Sequence, residues 1–164
     1  MQTESGRIRK EVKINVTIPA GIADDQTVVL RNEGEAGEKG GPSGDLYIVV
    51  AVKKHTKYSR KNDNVVCDMP ITFTGAVLGT ELKIPMVDGK TETYKIPEGT
   101  QTGTKFTIKN KGFNSINGNW KGDFIFTVVI QTPKKLTVEQ KELLTKLAET
   151  MGEQATSKKK GIFR

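Results

Sequence analysis

The chain contains the same segment twice. Ile18-Pro19-Ala20-Gly21 returns as Ile96-Pro97-Glu98-Gly99, Asn32-Glu33-Gly34 as Asn110-Lys111-Gly112, and Gly44-Asp45-Leu46 as Gly122-Asp123-Phe124. All three matches share one offset of 78 residues, with no gap inside the unit. A fixed period of this kind means one supersecondary unit built twice, and it excludes any fold that cannot be split into two like halves. Each unit reads as a strand (12–18 and 93–96), a Pro-Gly turn, a second strand (27–30 and 105–108), a polar Gly-rich connection and a long apolar strand (46–52 and 124–130).

The local reasons are physical. Val12, Ile14, Val16 and Ile18 alternate with Lys13, Asn15 and Thr17, the period of a half-buried strand. Proline then removes a ladder donor and ends the strand. Residues 46–52 are apolar throughout, which predicts a strand covered on both faces near the middle of the packing. Between the units lie β-rich stretches at 65–73 and 82–85, separated by Gly75-Ala76-Val77-Leu78-Gly79, and Asp88-Gly89 predicts a hairpin joining 82–86 to 91–96. The second unit thus owns strands before its Ile-Pro-Glu-Gly that the first lacks, because eleven residues precede Val12, so the first domain is expected to be incomplete. Thr137 and Gln140 form a capping box for a helix that Gly152 stops. Its stripe of Leu143, Leu144, Leu147, Ala148 and Met151 needs a partner, while Glu142 and Lys146 form an exposed pair. The fold class is mainly β, two tandem sandwich or barrel-like domains related by the repeat, plus a C-terminal helix: 7–56, 57–135, helix 136–152, and a flexible basic tail at 153–164.

Composition removes several function classes. The 164 residues hold one Cys (Cys67) and one His (His55), too few for a disulfide framework or for a zinc site built from this chain alone. No apolar run approaches the ~18 residues of a spanning helix, and residues 1–10 carry no signal-peptide core, so a cytoplasmic protein without membrane partners is expected. The net charge of +7 gathers at Lys53, Lys54, Lys57, Arg60 and Lys61, at Lys134 and Lys135, and at residues 158–160. That keeps a basic nucleic-acid-binding β protein open as an alternative. Against it, aromatics are only 6% and do not interleave with these clusters as stacking platforms require. The Gly-rich run 34–44 lacks the Gly-Lys-Ser/Thr and the following helix of a phosphate loop, and reads as a mobile connection. Asp45 and Asp123 occur at the same place in both units, which suits a turn-capping carboxylate better than a catalytic one. His55 has no nucleophile beside it and Cys67 reads as a small buried residue. No enzymatic constellation emerges, and no activity is expected.

The motifs carry a resemblance. Ile18-Pro19-Ala20-Gly21, Gly34-Glu35-Ala36-Gly37, Gly41-Pro42-Ser43-Gly44-Asp45-Leu46-Tyr47, Lys54-His55 with Tyr58-Ser59-Arg60, Ile71-Thr72-Phe73 with Ala76-Val77-Leu78-Gly79, and Pro133 with Gln140-Lys141-Glu142-Leu143-Leu144 resemble the C-terminal substrate-binding region of the DnaJ family of J-domain co-chaperones. The match runs in order over 7–152. It implies two β-rich domains, a dimerisation helix, and the holding of unfolded polypeptides for delivery to the seventy-kilodalton heat-shock chaperone. The His-Pro-Asp tripeptide of the J domain and the Cys-x-x-Cys-x-Gly-x-Gly repeats of the zinc region do not occur in the sequence. The chain is therefore expected to be a fragment or natural short form, with no cofactor of its own, whose parent binds zinc elsewhere. The resemblance implies a client groove lined by Ile14 and Val16 and by Ile48 and Val50, and a homodimer through Leu143, Leu144, Leu147 and Met151. The competing readings are that the four groove residues are core and that the helical stripe covers the second β domain.

Overall fold

The computed structural model describes residues 11–37, 41–116 and 118–153. In these residues the order is β1 (Gln26–Leu30), β2 (Leu46–Val50), β3 (Ser59–Lys61), β4 (Asn64–Thr72), α1 (Phe73–Leu78), β5 (Thr80–Pro85), β6 (Thr91–Ile96), β7 (Lys105–Ile108), β8 (Phe124–Gln131) and α2 (Val138–Thr150). The strands form a β1-β2 pair, a sheet of order β3-β4-β8-β7 and a β5-β6 pair. The chain is mainly β with a C-terminal helix, and among the described residues no sheet closes into a barrel. Its contacts divide it into two compact units, Met1–Cys67 with Lys105–Phe126, and Asp68–Thr104 with Thr127–Arg164.

The sequence repeat is a repeat of hydrogen bonds. In the first copy the Asn32 amide donates to Asp45 Oδ1 (3.1 Å), Gly34 N to Gly44 O (2.7 Å) and Gly44 N to Glu35 O (2.9 Å). In the second, Asn110 N donates to Asp123 Oδ1 (2.9 Å), Gly112 N to Gly122 O (2.7 Å) and Gly122 N to Phe113 O (2.9 Å). Asn32 and Asn110 both hold a left-handed φ, 60° and 58°, a conformation that Asn tolerates better than most residues. The turn before β1 repeats as well: Asp25 N donates to Val50 O as Gly103 N does to Val128 O, and Asp24 Oδ1 accepts from Val52 N where Thr102 Oγ1 accepts from Ile130 N.

In the first unit Phe124, Phe126 and Val65 are fully buried, with the Phe124 and Phe126 rings 6.5 Å apart and Phe106 5.5 Å from Phe126. Cys67 is buried, as a small apolar residue in a strand should be. In the second unit the hairpin pairs Thr80 with Ile96 through Pro85 with Thr91 around the Asp88-Gly89 turn, placing Ile84 and Ile96 inside. α2 begins with both halves of the capping box and buries none of its residues.

Three expectations need correction. Residues 12–18 form no strand, and Val12 and Ile18 are 63% and 57% exposed. The equivalent β6 pairs with β5, whereas no described strand lies beside 12–18, and an alternating pattern without a ladder partner does not hold an extended backbone. The long apolar run is covered on one face only: β2 ends at Val50, and Tyr47 and Val49 are each 65% exposed. The β-rich stretch 65–73 ends one residue early, at Thr72, and the six-residue helix α1 follows it; Thr72 caps that helix by accepting from Gly75 N at 3.1 Å. Of the tail, residues 154–164 lie outside the described residues.

Equivalent glycines of the two copies stand in different surroundings. A Cβ on Gly122 would overlap the Asp63 carbonyl, whereas one on Gly44 would meet only Glu35 O at 3.9 Å. Gly122→Ala should therefore cost about 2–3 kcal/mol in urea unfolding, and Gly44→Ala less than about 0.5 kcal/mol.

Candidate functional site

The two-stranded β1-β2 sheet has one half-buried apolar face. Its register sets Val28 opposite Ile48 and Leu30 opposite Leu46, with Val50 opposite Gln26. Side chains alternate along a strand, so Leu46, Ile48 and Val50 project to one side and Tyr47 and Val49 to the other. In the second copy the positions matching Leu46, Ile48 and Val50 are Phe124, Phe126 and Val128, all fully buried. The same framework is filled in one copy and partly open in the other. Of the residues expected to line a groove, Ile48 and Val50 share this face and are half-buried. Ile14 is half-buried and Val16 is 36% exposed, in a segment that no described ladder joins to β2.

Arg60 organises the neighbouring polar corner. Its Nη1 donates to Ile22 O (2.7 Å), its Nε to Asn62 O (2.6 Å), and its Nη2 pairs with Asp63 Oδ1 (3.0 Å), while the guanidinium lies 4.8 Å from the centre of the Phe113 ring. One side chain thus ties the Pro-Ala-Gly turn of the first copy to the hairpin of the second. The sequence places Arg60 in a basic cluster and in the Tyr58-Ser59-Arg60 motif, and neither assigns it a role. The usable signal was Asn62-Asp63, a two-residue hairpin turn between β3 and β4 with Asn62 at φ 57°, which turns Arg60 back over its own loop. His55 Nδ1 accepts from the Lys57 and Tyr58 amides (3.1 and 3.3 Å), closing a turn, and its ring lies 4.8 Å from that of Tyr58. Burial, with a smaller contribution from Cys67, pushes the Tyr58 phenol above its ordinary range. Stability from that contact is present below pH ~10 and is lost as pH rises through the raised value.

Of the helical stripe, Leu143 and Leu144 line a cavity of about 500 Å³ with Phe73, Pro133 and Leu136. Leu147 and Met151 remain 44% and 66% exposed. Part of the stripe faces its own unit and part faces outward. Among the described residues no cluster of His, Cys, Asp and Glu has the makings of a metal site, and no helix is long and apolar enough to cross a membrane.

Two β-rich units, an apolar face left half open in the first and a helix with Leu147 and Met151 exposed define a mainly β protein that keeps apolar surface accessible. The model of the DnaJ C terminal domain matches residues 1–133, and the chain belongs to that family. It is 50% identical over 157 residues to the chaperone protein DnaJ of Ruminiclostridium cellulolyticum, covering 96% of this chain and 41% of the relative. It is 49% identical to that of Acetivibrio thermocellus (96% and 41%) and 51% identical to that of Clostridioides difficile (93% and 39%). The chain spans about two-fifths of the length of these curated relatives.

Replacing Arg60 by Ala removes three hydrogen bonds and a ring contact, and leaves acceptors without their donor. The expected loss is about 2–3 kcal/mol, with faster hydrogen exchange at the Phe113 amide. Arg60→Lys should not restore it, since an ammonium cannot make the planar fork.

Proposed function

We propose that the chain is a chaperone module that holds unfolded polypeptides on the apolar face of the first unit. A client would occupy a groove formed by Ile48 and Val50 with Ile14 and Val16, and the module would hand its cargo to the seventy-kilodalton heat-shock chaperone without catalysing a reaction. The observation that carries this reading is the contrast between the copies: Phe126 and Val128 are sealed, while Ile48 and Val50, at the same positions, are not. An extended segment beside an unpaired backbone gains ladder bonds, and its apolar side chains gain burial of ~25 cal/mol per Å². On this reading residues 7–56 and 57–135 act as separate β domains. The names of the relatives support the chaperone role; they say nothing of client or partner.

The same proposal makes residues 136–152 a dimerisation helix, with Leu147 and Met151 packing on a second copy and Leu143 and Leu144 shared between that contact and the home cavity. Burying a Leu is worth ~1.5–3 kcal/mol, so Leu147→Asp should give a monomer in sedimentation. If it sediments like the parent, the helix serves only its own unit.

The groove has its own test. Binding of an extended apolar peptide, read by fluorescence anisotropy, should fall at least tenfold in Ile48→Asp and persist per protomer in Leu147→Asp. Equal binding by Ile48→Asp and the parent would remove the groove from the reading, whatever the oligomeric state.

A further inference from the structure

The two copies of the Gly-to-Gly loop close in the same way and display different chemistry. Both are closed at the base by the paired glycine bonds and the Asp cradle. Where the first copy has Pro42 and Ser43, the second has Trp120 and Lys121. The loop folds without them, so closing it is not the reason for an indole and an ammonium there. Trp120 is the chain's only tryptophan and is 56% exposed. Its ring lies against the tip glycine: a Cβ on Gly118 would sit 2.9 Å from the indole Cδ1 and 3.1 Å from Nε1. Ser115 N donates to Trp120 O (2.9 Å) and Asn114 bridges Lys121, so the backbone on either side of the tip is paired. One part of the ring is thus held against backbone while more than half of the residue stays open to solvent.

The charge along this stretch of chain has one sign. From Lys105 to Lys121 there is no Asp or Glu, and Lys105, Lys109 and Lys121 are exposed. The matching first-copy segment, 27–43, carries Glu33, Glu35 and Glu38. The carboxylates that border this loop are engaged: Asp123 accepts from the Asn110 amide, Asp63 pairs with Arg60, and Asp24, which shares a cavity with Ser115 and Ile116, accepts from the Val52 amide. A pre-held aromatic surface beside unopposed ammonium groups fits a polyanion that carries planar groups. We infer that residues 112–116 and 118–122 with β7 form a single-stranded nucleic-acid contact, with a base stacking on Trp120 and phosphates passing Lys121, Lys109 and Lys105. Stacking is sequence-tolerant, and the lysines contact backbone, so the preference is for single strands of any sequence. An acidic polypeptide would satisfy the lysines and leave the flat ring without a planar partner.

The test uses the full chain and a labelled oligothymidylate of about twelve nucleotides. Addition should quench the emission of Trp120, and anisotropy should show an affinity that falls about 10–20-fold between 50 and 200 mM salt for three neutralised phosphates. Trp120→Phe should bind within a few-fold of the parent, whereas Trp120→Ala should bind about tenfold more weakly, and Lys121→Glu should flatten the salt dependence, each with an unchanged unfolding midpoint. Equal competition by poly-glutamate of the same length would assign the surface to acidic polypeptides and overturn the proposal. Equal affinity of Trp120→Ala, or no quenching at 50 mM salt, would overturn it as well.

Discussion

A single carboxylate cradle underlies both halves of this chain. In each copy an Asp that opens the long strand accepts the amide of an Asn thirteen residues earlier, Asn32 for Asp45 and Asn110 for Asp123, and across the loop between them the first glycine's amide donates to the second's carbonyl while the second's amide donates to the residue after the first, Glu35 or Phe113. Bonds to a charged acceptor contribute more than neutral ones, about 1.5–3 kcal/mol. They also fix register: with Asn32 and Asp45 joined, Leu30 must face Leu46, and every alternate side chain of β1 and β2 is assigned to a face. The half-open apolar face exists because this cradle selects which residues project there. Gly34 and Gly112 lie in the loop just past β1 and β7, and a Cβ at either would meet backbone within 2.8 Å.

The two copies diverge where a neighbour is present in one and not in the other. Beside Gly122 the Asp63 carbonyl closes the space and accepts from the Phe113 amide at 2.8 Å; beside Gly44 nothing comes nearer than Glu35 O. The β3-β4 turn that supplies Asp63 thus has no counterpart among the described residues around Gly44. Likewise no described strand stands to 12–18 as β5 does to β6, nor to β2 as β4 does to β8, which leaves 12–18 unpaired and Leu46, Ile48 and Val50 half-buried. A binding face here requires no special residues. On the proposed reading, leaving a core position uncovered is sufficient, since an uncovered apolar sheet face is a surface to which an extended chain can add.

Much of this was legible in the sequence, because the repeat supplied each position with a reference. Strands 27–30, 105–108 and 124–130, the Asp88-Gly89 hairpin, the Thr137–Gln140 capping box and the structural role of Asp45 and Asp123 all follow from local chemistry, and the structure places them there. What local chemistry could not supply was the identity of neighbours. Residues 12–18 alternate as a strand does, yet pairing needs a second strand, and periodicity carries no information about whether one is adjacent. The apolar run 46–52 was read as doubly covered for the same reason, and Tyr47 and Val49 are exposed instead. Arg60 was hidden differently: its three acceptors include the carbonyls of Ile22 and Asn62, and backbone carbonyls leave no mark in a sequence.

The C-terminal helix raises a constraint that the β units do not. α2 has thirteen residues and buries none of them, a length at which an isolated helix is marginal in water. Its capping box contributes about 1 kcal/mol, Glu139 lies favourably in the first turn, and the last turn holds no basic residue to complement the dipole. Leu143 and Leu144 reach the cavity beside Phe73 and Leu136, which anchors the middle of the helix only. The C-terminal turns, with Leu147 and Met151, depend on whatever covers them. If a second copy does so, helix formation and association become one equilibrium, and helicity near Met151 rises with protein concentration. If nothing does, those turns fray, and the stripe that the sequence so clearly displays is half a contact in search of its complement.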